Sequence, residues 1–362
     1  MMMVNQALPR PTRQLLENHQ QDCRHLGLML DKFAPWGLAT PRRGAPYYDV
    51  VMQIRRRRRG QWQTISVDGA EAKGQWITQG RPAARQGEDP SLFEVPRADI
   101  PLMAAQRDRW QTTIDSAGER AAWFAMQTAS RLAIGLGAAH VLETALSLDR
   151  NTGAPYIAGS SLKGLARAMA LYELALTIGI TTPPSKAQNE GKEPTLNQLN
   201  EWLTGKTKPL AGESATDTEA RYISNPTGSL GKRITSEFHE QVRQIRRVFG
   251  HQGAAGVVNF LPAVYDPQFD DEEFYTTDVM TPHYPDYYQE KALPADDQNP
   301  NPVTFLTVRQ GIVFRFGVML RTGSRSEDGD LGLAAGWLRG GLQELGIGGK
   351  TAAGYGFFEE ER

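Results

Sequence analysis

The order in which the hydrophobic period changes along this chain constrains its fold more than any single residue does. Arg131 to Gly137 and Val141 to Leu148 are apolar runs of strand length, followed by the turn residues Asp149-Arg150-Asn151-Thr152-Gly153. The spacing then lengthens to that of a helix reaching about Ile178. Leu162, Leu165, Ala166, Met169 and Tyr172 share one face of it, and Ser160 or Ser161 is placed to cap its start. A further helix is predicted near Glu237 to Phe249, with strands at Val257 to Val264 and Phe274 to Met280. Val303 to Val308 and Ile312 to Leu320 read as a β-hairpin around Arg309-Gln310-Gly311. A glycine-punctuated helix, Leu331 to Leu345, leads through a glycine loop to a last strand, Tyr355 to Phe358.

Without its insertions this succession is strand, helix, strands, helix, strand, which predicts an α+β, ferredoxin-like (RRM-like) core. Two helices on one face of an antiparallel sheet would leave the other face for a ligand or an added layer. The core is expected over residues 122–362, with polar insertions at about 181–235 and 286–302, the first reading as surface. Residues 1–121 read as an N-terminal extension. It would hold a helix from about Arg13 to Phe33, an irregular excursion from Gly69 to Pro101, and between them two strands, Tyr47 to Ile54 and Gln61 to Val67. Arg55, Arg56, Arg57, Arg58, Arg59 and Gly60 would form an arginine tip joining those strands.

Charge excludes a global attraction for polyanions, because 40 basic and 41 acidic residues leave a net charge of -1. Nucleic-acid binding would have to come from local basic patches. Cys23 is the only cysteine, so neither an intrachain disulfide nor a thiolate metal cage is available, which favours the cytoplasm. Met1 to Arg13 lacks the apolar run of a secretory signal, and Glu173 interrupts the longest apolar helix, so neither export nor a membrane partner is expected.

Two segments carry the chemistry. In Pro155-Tyr156-Ile157-Ala158-Gly159-Ser160-Ser161-Leu162-Lys163-Gly164-Leu165-Ala166-Arg167, a glycine turn presents two hydroxyls and unpaired amides at a helix start, where the macrodipole favours an anion. Lys163 and Arg167 are four apart and share a helical face. The segment reads either as a phosphate-binding helix start or as an ordinary capped helix with a solvated basic face. The second segment, Leu345 to Phe357, has five glycines in eleven residues and contains Gly349-Lys350-Thr351. A P-loop is excluded, since Glu344 stands where that motif needs glycine and the expected order is helix, loop, strand. Gly346, Gly348 and Gly349 either let the backbone approach a sugar-phosphate chain, with Lys350 and Thr351 beside it, or only turn the chain from helix to strand.

Other candidates are weaker. Arg55 to Arg59 would grip phosphates or sit as solvated charge. His283, near Asp278 and Asp286, lacks any partner at metal-ligand spacing, so no metal and no cofactor are expected. Tyr284, Tyr287 and Tyr288 would stack on bases or pack at an interface. Asp270 to Glu273 is an acidic run that would repel RNA.

Together the Ile157-to-Arg167 turn and the Gly346-to-Phe357 loop resemble the RAMP superfamily of CRISPR-associated proteins. Leu30-Asp31-Lys32-Phe33 and the stretch from Asp278 to Tyr288 look like one subunit family, the sixth, of the type III-B (Cmr) effector complexes. Ala158 departs from the family's usual proline in the turn. The resemblance implies a non-catalytic subunit of a type III ribonucleoprotein complex, near the 3′ part of the CRISPR guide RNA. It would contact guide and target RNA beside other RAMP and small helical subunits. The implied RNA-binding residues are Ser160, Ser161, Lys163, Arg167, Gly346, Gly348, Gly349, Lys350, Thr351 and Arg55 to Arg59, with none catalytic. The rival reading is a metal-independent RAMP endoribonuclease that processes precursor RNA through His140 or His283.

Overall fold

The computed structural model describes residues 99–137, 145–181, 193–208, 210–268, 274–281, 303–324, 327 and 329–361, with Ala72 and the backbone of three strands between 36 and 68. The helix expected at 13–33, most of the 286–302 insertion, Arg59, His140, His283, the tyrosines at 284–288 and most of the acidic run at 270–273 lie outside the described residues.

Six strands form the main sheet: β4 (Ala121–Thr128), β5 (Tyr156–Ile157), β8 (Val258–Phe260), β9 (Ala263–Tyr265), β12 (Val313–Leu320) and β13 (Phe358–Glu359). Their order is β13-β4-β12-β9-β5, with β8 also on β12, and every pair is antiparallel. Alternation in β4 buries Phe124, Met126 and Thr128 and leaves Trp123 exposed. Phe124 stacks on Phe316 of β12 with ring centroids 5.5 Å apart, and Phe358 meets Phe316 edge-on. Two helices cover this face, α2 (Gly159–Thr177) and α6 (Asp330–Glu344). They bury Leu162, Ala166, Met169 and Leu174 from one and Ala334, Trp337, Leu338 and Leu342 from the other. Gly341 abuts Leu165, Gly340 abuts Met169, and Trp337 Nε1 donates to Glu173 at 2.8 Å, so the helices run antiparallel.

The other face is not open. Helix α1 (Ile100–Ala117), upstream of the core expected from residue 122, packs across it. Trp110 donates to the Pro262 carbonyl at 3.1 Å, and its ring lies so close to Gly317 that a Cβ there would come within 2.7 Å. Buried Asp266 ties α1 to the sheet by accepting from Arg107 and Arg315, each at 2.6 Å.

The first core strand is β4, not the 131–148 runs. Leu132 makes only an isolated bridge to Val308, and Leu148 one to Pro155. Leu132, Ala133 and Ile134 are buried in succession rather than alternately, and Gly135 turns with φ 83°. The segment is a packed loop whose carbonyls serve other loops. The 303–320 hairpin is likewise corrected. Strand β11 (Val303–Val308) pairs with β10 (Tyr275–Met280) in a separate two-stranded sheet, and Arg309-Gln310-Gly311 carries the chain across to β12. Buried Thr128 holds that crossing, its hydroxyl donating to Arg309 O at 2.7 Å and accepting from Ile312 N at 2.9 Å. The expected strand at 257–264 is split into β8 and β9 at Leu261-Pro262, where proline removes a ladder donor.

The stretch expected as a surface insertion contains helices α3 (Leu196–Thr204) and α4 (Ala215–Ser224), packed with α5 (His239–Phe249). Leu199, Trp202, Leu203, Ile223, Leu230 and Ile234 from it are buried in the core. No serine caps α2. Ala158 is its N-cap without a side-chain bond, and Ser160 and Ser161 sit exposed in the first turn. Finally, strands β1 (Trp36–Ala39), β2 (Tyr47–Arg58) and β3 (Gln61–Asp68) form a three-stranded sheet. Arg55 to Arg58 pair with Thr64 to Gln61 and belong to strand, so the expected arginine tip is mostly ladder.

Candidate nucleic-acid interface

Lys163 and Arg167 do share a face of α2, the one turned away from α6. With Thr204, His251, Asn259 and Arg321 they line an open cleft of about 430 Å³. Arg167 Nη2 donates to Asn200 Oδ1 at 2.7 Å. Among the described residues neither cation is paired with a carboxylate. Burial, followed by the neighbouring Arg167 charge, pushes the Lys163 ammonium below its ordinary pKa, and burial lowers Arg167 in the same way. Positive charge is therefore held here against desolvation and without compensation.

The glycine loop follows α6. Gly346, Gly348, Lys350, Gly354 and Gly356 all take positive φ, and Lys350 is the only described non-glycine residue that does so. A Cβ at Gly348 would collide with the Ala133 carbonyl oxygen, and one at Gly349 would lie 2.7 Å from Leu136 Cδ1. The Gly349 amide donates to Ala133 O at 2.7 Å and the Gly356 amide to Arg131 O at 2.8 Å. The close approach these glycines permit is to the chain's own 131–136 segment, so the turn reading explains them. Lys350 extends its ammonium over the Phe305 ring, 5.5 Å from the centroid.

Arg131, Asp278 and Tyr355 form a cluster that the sequence reading missed. Asp278 accepts from Arg131 Nη1 and, at 2.5 Å, from the Tyr355 hydroxyl. Burial alone would raise the Asp278 carboxyl, but the bonds from Tyr355, Arg131 and the Val279 amide hold it below its usual value. Asp278 and Tyr355 lie in two of the resembling stretches, which was the available signal. Their pairing across 77 residues was not.

Antiparallel packing of α2 and α6 brings the glycine loop to the same end of the helix layer as Ser160 and Ser161. Two of the motifs thus converge, while Lys163 and Arg167 turn into the flanking cleft. Arg55 to Arg58 belong to the separate sheet. Among the described residues no group of three His, Cys, Asp or Glu side chains is placed to hold a metal ion. Nor is any described helix long and apolar enough to cross a membrane.

An α+β chain whose helix start and glycine loop meet beside a basic cleft is the arrangement that the motif resemblance implies, and the family comparison agrees. The RAMP superfamily model matches residues 125–359, and the chain belongs to that superfamily. More particularly, it is 32% identical over 239 residues to the CRISPR system Cmr subunit Cmr6 of Pyrococcus furiosus, a match covering 64% of this chain and 65% of that protein. The match thus falls just short of two thirds of that relative's length. Among solved structures, the type III-B Cmr-beta complex bound to cognate target RNA matches with TM-score 0.45 and 19% identity, over 74% of this chain and 68% of that chain. The crystal structure of Cmr6 from Pyrococcus furiosus matches with TM-score 0.38 and 31% identity, over 66% and 97%.

Proposed function

We propose that this chain is a non-catalytic RNA-binding subunit of a type III-B Cmr ribonucleoprotein effector complex acting in antiviral defence in the cytoplasm. It contacts guide RNA, toward its 3′ part, and target RNA, and it assembles beside other RAMP and small helical subunits. Superfamily membership and the likeness to a Cmr6 protein support the setting. The observation that carries RNA binding is the pair Lys163 and Arg167, lowered in pKa and facing a cleft without a carboxylate partner. Such a pair gains from a polyanion whose phosphates replace the missing counter-charge.

The sheet order β13-β4-β12-β9 has the last strand beside the first and the third between the first and second. With α2 after the first strand and α6 before the last, we read this core as ferredoxin-like, with α1 added on the second face.

The test is RNA binding by the full chain across a salt series. Lys163→Ala with Arg167→Ala is expected to weaken binding and to flatten the slope of log K against log salt by roughly 1.4, two contacts at about 0.7 each on a single strand. The wild-type preparation is expected to leave the RNA uncut with or without divalent metal. Wild-type-like salt dependence in the double variant would reduce this face to solvated charge, and metal-independent cleavage that co-purifies with the chain would favour an endoribonuclease.

A further inference from the structure

The cleft beside Lys163 and Arg167 has a second wall that no motif supplies. Strands β6 (Gly250–His251) and β7 (Ala254–Ala255) form a small hairpin directly after α5, and Arg321 follows the end of β12. Arg321 is locked against the segment following the hairpin. Its backbone amide donates to Val257 O at 2.8 Å and its Nε to Gly256 O at 3.1 Å. The two terminal guanidinium nitrogens have no ion-pair partner among the described residues. Arg321 thus adds a third permanent cation to the cleft from a strand distant in sequence from α2.

No aspartate or glutamate lines this volume. The nearest carboxylate chemistry is Glu219, which lies behind His251, 3.5 Å from Nε2, and is already bound by buried Arg246. His251 is not a fourth cation. Burial, then the Arg246 charge, lowers its pKa although Glu219 acts the other way, and its Nδ1 accepts from the Gly253 amide at 3.1 Å. The exposed groups on the remaining rim, Gln252 and Asn259, are neutral amides. At about 430 Å³ the cleft is in the size range of small-ligand sites. Three cations around one cleft with no acid repel one another until an anion enters.

We propose that this cleft is a phosphodiester-binding pocket in which Arg321, Lys163 and Arg167 together hold the sugar-phosphate backbone of a bound RNA strand. The inference rests on the RNA-binding reading above and extends it to a residue outside the superfamily motifs. The hairpin and Arg321 make the pocket preformed, because the guanidinium is oriented by the Gly256 carbonyl before any ligand arrives.

Fluorescence anisotropy of a labelled oligouridylate across a potassium chloride series tests it. Arg321→Gln removes the charge but keeps an amide donor for Gly256 O, Arg321→Met removes both, and Arg321→Lys keeps charge alone. The neutral variants are expected to flatten the log-log salt slope by roughly 0.7 with an unchanged thermal midpoint, while Arg321→Lys keeps the wild-type slope. A wild-type slope in either folded neutral variant overturns the pocket. If Lys163→Ala with Arg167→Ala still loses slope in that case, the RNA-binding reading stands without Arg321. If the double variant also matches wild type, both fall.

Discussion

Arg246→Ala is expected to lower the unfolding free energy by about 3–5 kcal/mol, the usual cost of removing one partner from a buried ion pair. Arg246 is 1% exposed and is the largest fully buried side chain among the described residues. Its guanidinium pairs with Glu219 on α4 and donates to Leu203 O at 2.7 Å, with longer bonds to Trp202 O at 3.2 Å and Gly205 O at 3.2 and 3.3 Å. Those carbonyls close the C-terminal end of α3, where a helix leaves its last acceptors unsatisfied and favours positive charge. The same side chain lies 4.4 Å over the Tyr222 ring, and Tyr222 stacks on Trp202. One residue of α5 therefore ties α3 and α4 to the core. Arg246→Lys is expected to recover little, because an ammonium cannot reproduce the planar fork that serves a carboxylate and several carbonyls at once. Urea unfolding measures both variants, and a loss below about 1 kcal/mol for Arg246→Ala would contradict this role.

Gly348→Ala is expected to cost about 2–4 kcal/mol, combining left-handed strain with a steric collision. Its φ of 93° suits glycine, and an added Cβ would meet the Ala133 carbonyl that also accepts the Gly349 amide. Relieving the collision would stretch that bond and loosen the packed 131–136 segment. The thermal midpoint should fall while RNA affinity per folded molecule is retained. Lost affinity with an unchanged midpoint would instead restore the reading in which these glycines lie against RNA.

The two core helices were legible because their apolar spacing keeps a 3.6-residue period, and Lys163 and Arg167 were legible because four residues return to the same helical face. Helix α1 was not, since it buries only Met103 and Ile114 and gives a weak periodic signal. Its start was nonetheless written in Asp99-Ile100-Pro101, where the Asp99 side chain accepts from Leu102 N at 3.2 Å. The prolines and charges just before it suggested only irregular chain. Helix α3 was hidden inside a polar stretch although Thr195 and Gln198 form a complete capping box ahead of Leu199, Trp202 and Leu203. The 303–320 error has a different origin. Both runs are genuine strands of nearly correct extent, but local turn chemistry cannot tell that Thr128, far away in sequence, seizes the turn and sends each strand to a different sheet. For the same reason Arg321 and the Arg131, Asp278 and Tyr355 cluster were invisible, as their neighbours are set by topology rather than spacing.

Photo-crosslinking of the assembled effector complex, carrying thiouridine-substituted guide RNA and bound target, tests RNA contact by this subunit most directly. Cross-links from this chain are expected in peptides around Lys163 to Arg167 and Arg321, and they should weaken in Lys163→Ala with Arg167→Ala while the complex still assembles. A complex that incorporates the chain but yields no cross-link from it to either strand would contradict RNA binding and leave a subunit that acts through protein contacts alone.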